Sequence, residues 1–228
     1  MSSSIVSAVL RTRVRALVEP IAIGLGRLGL TPNHLTFIGF GIAVIGAVAA
    51  AQQAWLAAGL LVLFGAVFDL FDGALARATG RVTKLGAFYD SVFDRWGEGV
   101  VYLGIVWGCV ATGFGAGAVF ATAALVSAVM VSYTRAKSES LGFTSGTNMA
   151  SVGFAPREVR VAILTIGLIL TGLSADSFVI DLPPGVACLE ICPTSGTILA
   201  ASLGLIAILA TITTIQRILH VRAQAREG

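Results

Sequence analysis

Long apolar runs, broken at intervals by short polar stretches, dominate this chain. Six of them, at about 35–51, 54–77, 86–113, 117–136, 158–175 and 195–216, have roughly the length that a bilayer core of about 30 Å requires of a helix. An even number of crossings returns both ends to one side. Ahead of the first run, residues 1–30 mix Arg11, Arg13, Arg15 and Arg27 with Ile5, Val9, Leu10, Val14, Leu17, Val18, Ile21 and Leu25. No uninterrupted apolar stretch there is long enough to span, and the arginines between Val9 and Leu17 do not suit a signal-peptide core. That mixture predicts an amphipathic helix lying in the interface. Thr31 and Pro32 suit the cap and first turn of the first crossing helix, which leaves Asn33 and Thr36 near its entrance. The expected fold is an all-α integral membrane protein, one domain over 1–228, with the interfacial helix followed by six transmembrane helices over about 35–216.

Composition agrees. The 228 residues are 56% hydrophobic and 12% charged, with mean hydropathy +0.91, against about 25% charged in an ordinary soluble protein. The net charge of +3 matters less than where the charges fall. Arg11 to Arg27 precede the first run; Arg77, Arg81, Lys84 and Arg95 flank the second turn; Arg135, Lys137, Arg157 and Arg160 flank the fourth; Arg217, Arg222 and Arg226 follow the sixth. The turns near Gln52 and Gly115 and the loop from Ser174 to Ser195 hold no Lys or Arg. By the positive-inside rule both termini and every basic cluster are expected in the cytoplasm, at the cell membrane and among its lipids, with no nucleic-acid partner. The opposite face offers little chemistry. Its longest loop holds Cys188 and Cys192, which an exterior location would allow to form a disulfide, and Cys109 reads as packing within the third run.

Against this apolar background stand four carboxylates, Asp69, Asp72, Asp90 and Asp94. Asp69 and Asp72 are spaced i,i+3 and Asp90 and Asp94 i,i+4, so each pair lies on one face of a helix, and the polar stretch around Gly80 suits the turn between. Two antiparallel helices joined there could aim all four at one point. Carboxylates gathered in a low dielectric repel one another, and a hard divalent cation relieves that repulsion. The expected occupant is Mg²⁺ or Mn²⁺, as two ions where a phosphoryl group is transferred.

The pattern Asp69-x2-Asp72-Gly73-x2-Ala76-Arg77-x8-Gly86-x3-Asp90-x3-Asp94 resembles, at every position, the motif of the CDP-alcohol phosphotransferases, membrane enzymes of phospholipid synthesis. The resemblance implies that Asp69, Asp72 and Asp90 bind metal, and that Asp94 lies beside a metal and accepts the proton of the incoming hydroxyl. It implies a CDP-lipid held by Asn33, Thr36, Gly73, Arg77, Thr83 and Gly86, where glycines admit a close ligand and the fork of Arg77 suits phosphate oxygens. The hydroxyl then attacks the β-phosphorus of CDP-diacylglycerol and CMP departs. Members of the family are commonly dimers, so a homodimer is expected.

Cations at the cytoplasmic ends of the later runs speak to the acceptor. Arg135, Lys137, Arg157, Arg160 and Arg217 come from three different runs, and a basic pocket there suits an anionic alcohol. Ser132-Tyr133-x-Arg135-Ala136-Lys137 with Glu139, the pair Arg157 and Arg160, and Gln216-Arg217 resemble the branch of the family that joins CDP-diacylglycerol to inositol 1-phosphate. Pro156 departs from it, standing where a Glu is expected. Glycerol 3-phosphate remains an alternative acceptor, which would make the chain a phosphatidylglycerophosphate synthase. More distant alternatives are a membrane prenyltransferase, whose second Asp motif usually lies far downstream, and a transporter, which leaves the four acids without a partner.

Overall fold

The computed structural model describes residues 17–143, 152–174 and 194–227. Arg11, Arg13 and Arg15 of the expected interfacial helix, and the Cys188–Cys192 pair, lie outside the described residues. Within them the chain is helical and contains no strand. We number the helices α1 (17–27), α2 (Pro32–Ala51), α3 (Trp55–Ala78), α4 (Lys84–Ala111), α5 (Gly115–Ser140), α6 (Arg157–Ser174) and α7 (Thr194–Glu227). The apolar runs match α2 to α6 closely, whereas α7 extends well beyond 216 into its polar end.

The helices are those of a multi-pass membrane protein. Among the described residues, four are long and apolar enough to cross a bilayer: Pro32–Ala51, Trp55–Ala78, Gly115–Ser140 and Ser195–Arg226. The other two predicted crossings fall short for a physical reason. α4 contains Asp90, Asp94, Arg95 and Glu98, and α6 has only 18 residues, three of which are Arg157, Glu158 and Arg160.

The described residues fall into two compact units. One comprises residues up to Ala43 together with Phe64–Gly97. Its core joins Ala22 of α1 to Leu35 of α2 and to Phe71, Ala74 and Leu75 of α3, with Val18, Leu25 and Phe68 packed around them. An aromatic row, Phe37 and Phe40 against Tyr89, Phe93 and Trp96, binds α2 to α4 with ring centres 4.9–5.7 Å apart. Between α3 and α4 the chain turns through Gly80, whose φ of +66° is the left-handed conformation that glycine adopts without strain. The Arg81 amide donates to the Ala76 carbonyl and the Gly80 amide to that of Arg77, closing the end of α3 in a Schellman turn. Thr83 then caps α4, its Oγ1 accepting from the Gly86 amide at 3.0 Å.

The other unit comprises Val44–Leu63 and the described residues from Glu98 onward. Lipid tails are as apolar as leucine, so helices associate there by close packing rather than by escape from water. α5 accordingly buries Gly117, Ala121, Ala124, Ala128 and Val131, and α7 buries Leu199, Leu203, Ile206 and Ala210. Ser127 and Thr211 share a hydrogen bond of 3.1 Å between these two helices. α2 and α4 approach so closely that a Cβ on Gly104 would stand 2.1 Å from the Ala47 carbonyl oxygen.

Candidate active site

The predicted metal and nucleotide residues all belong to the first unit, and several meet. Thr36 of α2 donates its hydroxyl to Asp72 Oδ2 of α3 at 2.7 Å, and the Gly73 amide donates to Oδ1 of the same carboxylate. Both Thr36 and Asp72 are buried, Asp72 at 5% exposure. Asp72 also lies within electrostatic reach of Asp90 and Asp69. Asp69 comes up against α2, where a Cβ on Gly39 would stand 2.9 Å from its Oδ1. One NH1 of Arg77 would be 3.1 Å from a Cβ on Gly73, so the guanidinium folds back over the glycine one turn before it. Around Gly86, Thr83 Oγ1 and Asn33 Oδ1 would stand 3.1 and 3.5 Å from an added Cβ. Asn33, Thr83 and Gly86 are therefore neighbours, as are Thr36, Asp72 and Gly73. Asp94 takes a 3.5 Å contact from NH1 of Arg95, which also donates to the Ser91 carbonyl at 2.8 Å.

Oxygen donors of one sign, drawn from two antiparallel helices, are the set a hard divalent cation takes. Among the described residues, no three or more His, Cys, Asp or Glu side chains are gathered tightly enough to enclose an ion as they stand. Both oxygens of Asp72 are instead turned to Thr36 and Gly73.

The basic residues gather in the second unit. Arg217 of α7 lies within electrostatic reach of Arg135 on α5 and of Arg160 on α6, with Glu139 also close. Arg135 pairs with Glu139 at 2.9 Å on a half-open surface, and Lys137 is exposed on the same helix end. Arg157 begins α6 and is partly buried. Two of the five are buried and already engaged. Arg160, expected to face an acceptor, is 1% exposed and grips Glu98 with Nε and NH2 at 2.9 and 2.8 Å, while NH1 donates to the Ala155 carbonyl at 3.0 Å. Arg217 is likewise buried, donating through Nε to the Val152 carbonyl at 3.1 Å and through NH1 to that of Val131.

Glu98 is the functional candidate that sequence reasoning passes over. It stands four residues after Asp94 among apolar residues, and a buried acid asks for a partner. That signal was available, but its partner is 62 residues away.

Comparison with known proteins identifies the family. The family model described as CDP-alcohol phosphatidyltransferase matches residues 29–216. The archaetidylinositol phosphate synthase of Pyrococcus horikoshii is 36% identical over 171 residues, 75% of this chain and 86% of its own. The phosphatidylinositol phosphate synthase of Mycobacterium bovis is 32% identical over 211 residues, 91% of this chain and 87% of its own. Among solved structures, the phosphatidylinositol phosphate synthase of Mycobacterium tuberculosis with CDP-DAG bound superposes with a TM-score of 0.71 at 31% identity, covering 90% of this chain and 94% of that one. The same enzyme in complex with manganese and citrate gives 0.71 at 31% identity, over 90% of this chain and 88% of that one.

Proposed function

This chain belongs to the CDP-alcohol phosphatidyltransferase family, and from that premise we propose that it transfers the phosphatidyl group of CDP-diacylglycerol to inositol 1-phosphate, releasing CMP. The observation that carries the acceptor reading is the gathering of Arg135, Arg160 and Arg217 from three helices within electrostatic reach of one another. Glu98 and Glu139 offset two of these three charges, and an alcohol that already bears a phosphate supplies a further anion to the cluster. The relatives named archaetidylinositol phosphate synthase and phosphatidylinositol phosphate synthase support this over glycerol 3-phosphate.

In this reading Asn33, Thr36, Gly73, Arg77, Thr83 and Gly86 hold the CDP-lipid. Gly73 and Gly86 leave room for it, and Arg77 offers its fork to the diphosphate. Asp69, Asp72, Asp90 and Asp94 would hold divalent metal, Mg²⁺ or Mn²⁺ as two ions, which when bound screens the diphosphate and steadies CMP as it leaves. The manganese present with one relative supports a metal of this kind. Thr36 orients Asp72 through their hydrogen bond. Asp94 takes the proton from the acceptor hydroxyl as the hydroxyl oxygen attacks the β-phosphorus. Arg135, Lys137, Arg157 and Arg217 hold the acceptor's phosphate; Arg160, fixed on Glu98, supports them.

We place the acids, the basic residues and both termini on the cytoplasmic side of the cell membrane, with α4 and α6 completing six crossings, and the enzyme in a homodimer. Purified protein incubated with CDP-diacylglycerol and competing inositol 1-phosphate, glycerol 3-phosphate and serine is expected to release CMP chiefly with the first. Preference for glycerol 3-phosphate would overturn the acceptor assignment, and preference for serine would remove the need for a phosphate pocket.

A further inference from the structure

The short segment from Val152 to Pro156, which leads into α6, is held by its backbone rather than by its side chains. The Ala155 amide donates to Thr213 Oγ1 of α7 at 2.9 Å, and the Ala155 carbonyl accepts from Arg160 NH1 at 3.0 Å. The Val152 carbonyl accepts from Arg217. Gly153 has φ +112°, and a Cβ there would lie 2.2 Å from Thr213 Cγ2, so the strap rests directly on α7. Pro156 then accepts from the amides of Val159 and Arg160, opening the first turn of α6 where Arg157 sits. Arg160 can reach Ala155 only in one orientation, because Glu98 grips its other two nitrogens bidentately.

We propose that Glu98 and Thr213 are positioning residues for the acceptor: they lock the 152–156 strap from two sides and so fix the place of Arg157 at the start of α6. The inference rests on the reading that Arg157 contacts the acceptor's phosphate. Neither residue contacts that phosphate itself. Glu98 carries the same sign of charge, and Thr213 is fully buried with its hydroxyl already donating to the Leu209 carbonyl while it accepts from Ala155. Buried polar groups that are fully satisfied rigidify what they join, and a strap held in this way enters the binding event already ordered.

The test uses the full chain in detergent with Thr213→Val, Thr213→Ser and Glu98→Gln. Losing one such contact should raise the KM for inositol 1-phosphate by roughly two- to tenfold in Thr213→Val. The KM for CDP-diacylglycerol and kcat at saturating acceptor should hold, and Thr213→Ser should restore the wild-type value because it keeps the hydroxyl. Glu98→Gln should move the same parameter. Where that variant does not fold, Thr213→Val decides alone, since valine matches threonine in shape. Hydrogen exchange gives a readout independent of turnover: the Ala155 amide should be protected in the wild type and exchange faster in Thr213→Val. An unchanged acceptor KM beside faster Ala155 exchange would overturn the inference, as would equal losses with both substrates or an unprotected Ala155 in the wild type. A wild-type enzyme that uses no phosphorylated acceptor would fail at the first step, before any variant is compared, and would remove the acceptor reading and this inference together.

Discussion

Thr36 Oγ1 and Asp72 Oδ2 stand 2.7 Å apart, a buried hydrogen bond that ties the entrance of α2 to the acidic motif on α3. A residue expected to meet nucleotide and one expected to meet metal are therefore a single unit. A carboxylate that is held is a carboxylate that is aimed, and the hydroxyl accomplishes this without adding charge.

Replacing Thr36 by valine keeps the shape and deletes the donor. A hydrogen bond to a charged group contributes about 1.5–3 kcal/mol, so CDP-diacylglycerol affinity should fall about ten- to a hundredfold. Thr36→Ser should recover most of it. Titration of CDP-diacylglycerol onto the purified variants measures this directly, and wild-type affinity in Thr36→Val would leave the hydrogen bond without a functional role.

Metal removal should be as informative. Activity should vanish with a chelator and return with Mg²⁺ or Mn²⁺. Asp69→Asn and Asp90→Asn should stay inactive at any metal concentration, because an amide cannot offer the charge that a hard cation needs. Normal turnover in metal-free buffer would end the mechanism, and metal-rescued turnover in both variants would remove Asp69 and Asp90 from the ligand set.

A different kind of prediction follows from helix packing. Gly104→Ala would drive its Cβ to 2.1 Å from the Ala47 carbonyl oxygen, so α2 and α4 must part. Overpacking of this kind typically costs about 1–3 kcal/mol, and thermal unfolding in detergent should drop by several degrees. Gly41→Ala, with nothing within 4 Å of the new methyl, is the control and should unfold with the wild type. Equal behaviour of the two would show that the α2–α4 contact is looser than the structure has it.

These outcomes bear on what the sequence could reveal. The placement of Asp69 and Asp72 on one helix and of Asp90 and Asp94 on the next was legible because their spacing is local, and helix periodicity converts it directly into shared faces. Gly80 and Thr83 were legible as a turn, although the role of Thr83 as the cap of α4 emerges only with the Gly86 amide in place. The partners of Arg160 were not legible. Three cations in a basic cluster look alike in a sequence, and only tertiary contacts separate Arg160, buried on Glu98, from Arg135, half-exposed beside Glu139. The crossings predicted for α4 and α6 illustrate a related limit: the charges that give these helices their chemistry also dilute the apolar signal used to recognise a membrane span.

Asp94 offers the sharpest separation of binding from chemistry. Its neighbour Arg95 contacts one of its oxygens at 3.5 Å. Asparagine has the same shape but no basic oxygen, so Asp94→Asn should still bind CDP-diacylglycerol while Asp69, Asp72 and Asp90 continue to hold metal. Transfer should fall by roughly a hundred- to ten-thousandfold, the range over which a positioned base acts. The loss should appear in kcat, with little change in the KM for either substrate, because the proton moves only as the hydroxyl attacks. Binding titration beside steady-state kinetics separates the two roles: a parallel collapse of CDP-diacylglycerol affinity and turnover would make Asp94 chiefly a ligand that holds the metal site together, and the base would have to be sought elsewhere.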